Sequence, residues 1–215
     1  MSLAALYPFD EGAGTRVGDS SGNGNHGTTN GTVQWTAGKI GGAMSFDGSS
    51  GCVTVPFSES LRVKNRGEGF TVSAWFNARA LPTEYKVIVQ QGDLNGTGRT
   101  WLFVQQTAEI RSSLGGSATQ SGFGIEANTW YHAAVVVKEG GTADTVQIYV
   151  NGRPAGPATI KNVEDSEGTF YIGCQKTPTN FWDGLLDDIR IYGRPLSDGE
   201  VAGLAGQTKP LAKPF

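Results

Sequence analysis

The chain has 215 residues, 38% of them hydrophobic and 17% charged, with a formal net charge of -3 at pH 7. That length is enough for one domain with a sizeable core, and the sparse, slightly acidic charge offers no basic patch for phosphate backbones, which excludes a nucleic-acid partner. No run of eighteen apolar residues occurs, so no membrane insertion is expected.

The opening, MSLAALYPFDEG, lacks the basic region and apolar stretch of a signal peptide. Its abrupt entry into a strand-like run points to a domain excised from a larger chain. From there period-two alternation dominates, and helical periodicity is almost absent. Strands are predicted, in chain order, at ALYPFDE, AMSFD, CVTVPF, FTVSAWFN, KVIVQQG, TWLFVQQ, EIRSSL, YHAAVVVKE, TVQIYVNG, FYIGC and LLDDIRIYG. The 32 glycines, about twice the average share, supply turns such as FDGSSG and KEGGTAD between them. Asn151-Gly152 is the strongest hairpin signal, because that pair accepts the positive φ angles of a type I′ turn. Near the end, RPLSDGEVAGLAG carries a capping box, Ser197 with Glu200, and predicts one short helix docked through Val201 and Leu204. Residues 206–215, GQTKPLAKPF, read as a tail or linker. So many short strands describe an all-β, two-sheet antiparallel β-sandwich. Cys52 and Cys174 form no CxxC pair; they either close one long loop as a disulfide or stay free thiols.

Piece by piece, FDEGAGT, DSSGNGNHG, GKIGGAMSFDG, FTVSAWF, NTWYHAAVVV, VQIYVNGRPAG, FYIG and GLLDDIRIYGRPLSDGEV resemble laminin G-like domains of the concanavalin A-like jelly-roll superfamily, over residues 4–205. The resemblance implies two curved sheets with the first and last strands adjacent. It also implies an extracellular or cell-surface setting, and many such domains hold a structural calcium ion or bind sugars.

The residues themselves suggest where such an ion would sit. Calcium takes six to eight oxygens from carboxylates, amides and carbonyls on a chain that can turn sharply. DSSGNGNHG offers Asp19, Asn23 and Asn25 among glycines. Glu11, in phase with Phe9, and Asp187, in phase with Ile189 and Ile191, are carboxylates pointing toward the apolar side at strand ends, where an uncompensated charge is costly. A cation shared by Glu11, Asp19, Asn23, Asn25 and Asp187 would resolve both. The alternative is a solvated turn, with Asp187 accepting backbone N–H groups. His26 and His132 lie too far apart for a zinc pair; His26 reads as a loop residue, and His132 as facing away from the core.

Catalytic signals are weak. No strand carries paired carboxylates at the spacing a glycosidase needs, and LDDIRIY puts its two aspartates on opposite faces. A lyase with a Tyr, His or Arg base stays open. The out-of-core positions favour recognition instead: Trp75 in FTVSAWFN, then Trp101, Phe103 and Gln105 in TWLFVQQ, with Arg111 and Trp182 at the rim and Tyr85 overhanging. Rings against C–H faces and planar polar groups on hydroxyls would suit carbohydrate. The sequence therefore predicts a non-catalytic carbohydrate-binding module, or alternatively an adhesion domain that binds an extracellular protein.

Overall fold

A computed structural model describes residues 3–62, 67–92, 99–114, 117–163, 167–177 and 179–207. Its strands are β1 (Leu3–Tyr7), β2 (Arg16–Val17), β3 (Gly27–Asn30), β4 (Val33–Ala37), β5 (Gly42–Asp47), β6 (Cys52–Val55), β7 (Gly69–Ala78) and β8 (Lys86–Gln91). There follow β9 (Arg99–Val104), β10 (Glu109–Ser113), β11 (Thr119–Gly124), β12 (Trp130–Lys138), β13 (Asp144–Val150), β14 (Arg153–Lys161), β15 (Phe170–Ile172) and β16 (Asp183–Tyr192), then helix α1 (Asp198–Leu204). Each of the eleven predicted runs holds a strand. Of the five that alternation did not signal, β14 is instructive: Pro154 and Pro157 forbid a central strand, and β14 is indeed an edge.

The strands form two antiparallel sheets. The first runs β14-β13-β12-β7-β16-β5-β4, with β1 also paired to β16, so the first and last strands are neighbours as expected. The second runs β11-β10-β9-β8-β15-β6-β3-β2. Inward-facing side chains of both, among them Tyr7, Met44, Phe76, Ile88, Leu102, Ile148 and Phe170, close one core between the sheets. Burying large apolar side chains there supplies the main driving force, at roughly 1.5–3 kcal/mol each before the cost of chain ordering.

Asn151 and Gly152 take φ of 48° and 79°, and the turn they make joins β13 to β14. At α1 both capping-box bonds form: the Ser197 side chain accepts the Glu200 N–H and the Glu200 side chain accepts the Ser197 N–H. The helix buries Val201 against Ala134, Val136, Tyr149, Tyr192 and Leu196 on the outer face of the first sheet. Cys52 and Cys174 are bonded as a disulfide, with Cα atoms 5.4 Å apart, tying β6 to the loop after β15. Residues 208–215 of the expected tail lie outside the described residues.

Candidate functional site

Asp19, Asn23 and Asn25 do converge, but on the chain's own backbone. Asp19 Oδ1 accepts the N–H groups of Leu6 (3.0 Å) and Ser21 (2.8 Å), while Oδ2 accepts the Ser21 hydroxyl (2.8 Å) and the Asn25 N–H (2.9 Å). Burial alone would raise its carboxyl pKa; the hydrogen bonds from Ser21, Leu6 and Asn25 outweigh that and hold it below the ordinary value. Asn25 donates to the Ala4 carbonyl (2.8 Å), and its Oδ1 accepts the Ser58 and Ser60 hydroxyls. Asn23 donates to the carbonyls of Leu3 (3.0 Å) and Ala4 (3.1 Å). One edge of β1 pairs with β16, and this loop satisfies other backbone groups of the same strand with side chains. His26 belongs to the same loop, its Nδ1 accepting the Asp19 N–H at 3.0 Å. Glu11 stands apart, exposed and accepting the Gly18 N–H. The expected five-residue cation site is therefore not assembled. Asp19 has spent its lone pairs on hydrogen-bond donors, and among the described residues no three His, Cys, Asp or Glu side chains gather as a metal cluster.

Asp187 is placed differently from its sequence phase. The register of β16 against β7 shifts between Asp187 and Arg190, and Asp188 takes φ of 46°. Leu186, Ile189 and Ile191 consequently face the core, while Asp187 lies opposite Trp75 on the outer face of the sheet. It is fully buried there beneath the 38–42 turn. Its Oδ2 accepts the Ile40 N–H at 2.8 Å, and its Oδ1 has no hydrogen-bond partner. Burial pushes this carboxyl up to about 6, against the Ile40 hydrogen bond, with the neighbouring Asp188 charge adding and the Lys39 and Asp188 N–H groups opposing. Asp10 reaches the same turn, where its Oδ1 accepts the Gly42 N–H at 2.6 Å. A methyl group at Gly42 would sit 2.3 Å from the Phe9 carbonyl oxygen; one at Gly38 would sit 2.1 Å from the Gly42 carbonyl oxygen and 2.7 Å from Asp187 Oδ2. Only glycine lets so many oxygens crowd one corner. Asp187 thus keeps one buried, unpartnered carboxylate oxygen near a corner to which the Phe9 and Gly42 carbonyls and the Asp10 carboxylate also come, and carboxylate and carbonyl oxygens are the donors a hard cation takes. Sequence reasoning takes Glu11 from its phase with Phe9, and the positive φ of Phe9 (56°) breaks that phase.

Three of the expected sugar-facing residues are covered. Trp101 is 1% exposed, its ring 5.0 Å from Phe70 and 4.8 Å from Phe170. The β8–β9 register shifts between Val89 and Gln90, pairing Leu102 with Val89 and Thr100 with Gln90, so Trp101 is the extra residue and turns inward. Trp182 is also 1% exposed, packed edge-on against Phe76 at 5.6 Å. Trp75 does face away from the core, but on the first sheet, under the Lys39 ammonium at 5.0 Å and beside His132 at 5.4 Å. His132 is buried with it, and that burial, with the Arg190 charge adding, pulls its pKa down to about 4.

The other three meet at one place. Tyr85, Gln105 and Arg111 line an open hollow of about 400 Å³ with Phe103, Ser113, Ala118 and Gln175. β9 and β10 supply its floor, and the loops before β8 and after β15 supply its walls. The alternation that puts Leu102 and Val104 in the core turns Phe103 outward, where Tyr85 meets it edge-on at 5.8 Å; Phe103 is itself only 7% exposed, so Tyr85 is the more accessible ring. The Tyr85 hydroxyl donates to Gln175 Oε1 (3.0 Å), which also accepts Asn180 Nδ2 (2.7 Å) and the Thr179 hydroxyl (3.1 Å). Arg111 Nε and Nη2 both donate to Glu109 Oε2, at 2.8 and 2.6 Å, and Glu109 Oε1 accepts the Gly122 N–H at 2.8 Å. Gln175 lies in a loop without periodicity, and its one sequence cue is adjacency to Cys174.

A laminin G family model, described as Concanavalin A-like lectin/glucanases superfamily, matches residues 47–202. No curated protein matches the chain. Among solved structures, domain 4 of AbnA, an extracellular arabinanase from Geobacillus stearothermophilus, in complex with arabinotriose, superposes with a TM-score of 0.68 at 24% identity, over 94% of this chain and 98% of that one. The binding domain of Paraclostridial Mosquitocidal Protein 1 gives 0.72 at 17% identity, over 95% of this chain and 52% of that one. Trypanosoma rangeli sialidase gives 0.73 at 16%, over 94% and 32%. The chain thus spans nearly all of the first, about half of the second and about a third of the third. At these identities the likeness is one of fold. With the family match covering most of its length, the chain belongs to the concanavalin A-like lectin/glucanases superfamily.

Proposed function

We propose that this protein is a non-catalytic carbohydrate-binding module, one unit of an extracellular or cell-surface chain, and that Tyr85, Phe103, Gln105, Arg111, Ser113 and Gln175 seat the glycan. The observation that carries the reading is their convergence: two aromatic rings locked edge-to-face beside amide, hydroxyl and guanidinium groups, in a hollow large enough for a sugar unit. Rings offer apolar area to C–H faces, and planar donors and acceptors meet hydroxyls in pairs. The arabinotriose complex of the AbnA domain supports it by analogy of fold. The disulfide supports an oxidising compartment.

A structural calcium ion is part of the same proposal, relocated to Asp187. Asp187 and Asp10 would hold it, with carbonyl oxygens of Phe9 and Gly42 from the same corner. When bound, the ion compensates the buried carboxylate and clamps the end of β1 to β16. Arg190, held by Asp188 on the same strand (2.9 Å), is already committed to a partner.

A glycan array followed by titration calorimetry tests the module. Tyr85→Ala and Arg111→Ala are each expected to weaken the best glycan at least tenfold, about 1.4 kcal/mol, measured well below the melting temperature, which falls for Arg111→Ala because Glu109 loses its partner. A blank array, or undiminished binding by both variants, refutes the assignment of the hollow.

A further inference from the structure

Taking the carbohydrate reading as its basis, we infer that the hollow selects uncharged glycans, with Arg111 serving as a pinned, charge-neutralised donor rather than as a receptor for a sugar carboxylate. Among the described residues lining the hollow, Arg111 is the one that is formally charged. A guanidinium recognises a carboxylate best through two parallel N–H groups. Its Nε and Nη2, which form the side edge of the fork, already converge on Glu109 Oε2. Glu109 is fixed in turn by the Gly122 N–H, so the pair is anchored across β10 and β11. The two side chains are only 21% and 13% exposed, so water screens the pair poorly.

An acidic sugar entering here would meet a cation whose charge is already answered, next to a carboxylate it repels. It would have to shed water from its own charge without compensation. A neutral sugar pays no such cost, and the remaining guanidinium N–H groups and the Gln105 and Gln175 amides suit hydroxyl partners. Among the described residues, other cations nearby do not alter the balance: Lys161 donates to the Ser117 carbonyl and hydroxyl. Lys86 is paired with Glu84 at 3.0 Å, and the Lys176 stem lies against Gly92 and Tyr171; neither lines the hollow.

Wild-type protein titrated with neutral arabino-, xylo- and gluco-oligosaccharides and with acidic oligogalacturonides and sialyllactose reads this directly. At least one neutral ligand should bind tenfold or more tightly than every acidic one, with a Kd that changes less than twofold between 50 and 500 mM NaCl. Glu109→Gln, verified as folded by circular dichroism, should narrow the preference at least tenfold by releasing the Arg111 charge, and should introduce salt-sensitive binding of the acidic ligands. Acidic glycans that bind wild type as tightly as neutral ones, or a folded Glu109→Gln protein with the preference unaltered, overturn the inference while leaving the carbohydrate module standing. Binding of no glycan at all overturns the module and the inference with it. If Glu109→Gln does not fold, the wild-type panel and its salt series decide alone.

Discussion

Replacing Asp19 by Asn separates a carboxylate that organises backbone from one that binds metal. The carboxylate accepts four hydrogen bonds, two on each oxygen. The amide keeps one oxygen, so whichever way it is oriented two of the bonds are lost and its own hydrogens confront N–H or O–H donors. Each bond to a charged acceptor contributes roughly 1.5–3 kcal/mol net, which makes the expected loss about 3–6 kcal/mol. That is a large share of the roughly 5–15 kcal/mol by which domains are stable. Urea unfolding followed by tryptophan fluorescence measures it as a fall in midpoint at constant m. The experiment is run in calcium and again in EDTA, and the same loss is expected in both, because the Asp19 oxygens hold Leu6, Ser21 and Asn25 rather than an ion. A loss below about 1 kcal/mol, or one that vanishes in EDTA, would refute this account of the loop.

Three further outcomes follow from the same geometry. Calcium at a hundred times its dissociation constant should raise the melting temperature of wild type by roughly 5–10 °C, and Asp187→Asn should abolish that response; a wild-type protein indifferent to calcium and chelator removes the ion from the proposal. His132 takes up its proton below about 6.5 in the unfolded chain but only below about 4 in the fold, so its contribution to stability falls as pH drops through that window, by about 3 kcal/mol in all. Comparing His132→Gln with wild type from pH 7 to 4 isolates that slope, since the opposing pull of Asp187 is common to both; parallel profiles would contradict it. Opening the Cys52–Cys174 bond as the double Ser variant should cost about 4–5 kcal/mol, given the 122-residue separation, and should also weaken glycan binding well below the unfolding transition, because Cys174 anchors the Gln175 wall. Unchanged affinity in the folded double variant would show the wall to be held without it.

The parts of this fold that rest on strict alternation and capping were readable from residues. FTVSAWFN, YHAAVVVKE and the Ser197–Glu200 box each landed in their predicted element. What misled was local departure from period two. One extra residue in the pairing of β9 carries Trp101 from the outer face into the core, and one bulge at Asp188 carries Asp187 from the core face to the outer one. Nothing in TWLFVQQ or LLDDIRIY marks those shifts, because a bulge is chosen by the twist and packing of the neighbouring strands, which are remote in sequence. The polar loop reads in sequence as a concentration of oxygens for a cation; in the structure Asp19, Asn23 and Asn25 bond backbone groups of β1. Its partners were mistaken, since backbone N–H groups and a cation demand the same kind of acceptor.

Which sheet recognises a ligand follows from what covers the other. On the outer face of the first sheet, α1 packs over Ala134, Val136, Tyr149 and Tyr192, while the 38–42 turn brings Lys39 over Trp75 and Ile40 onto Asp187. Trp75 and His132, which the sequence places on an outer face, are consequently buried. On the second sheet the described cover above β9 and β10 is loop, and the two loop residues that reach inward, Tyr85 and Gln175, are bonded to each other across it. Such a wall is positioned without being sealed. On the proposed reading, a glycan would meet Tyr85, Gln105 and Arg111, the last two being ordinary outward positions of two strands, with Glu109 and Gln175 fixing their neighbours.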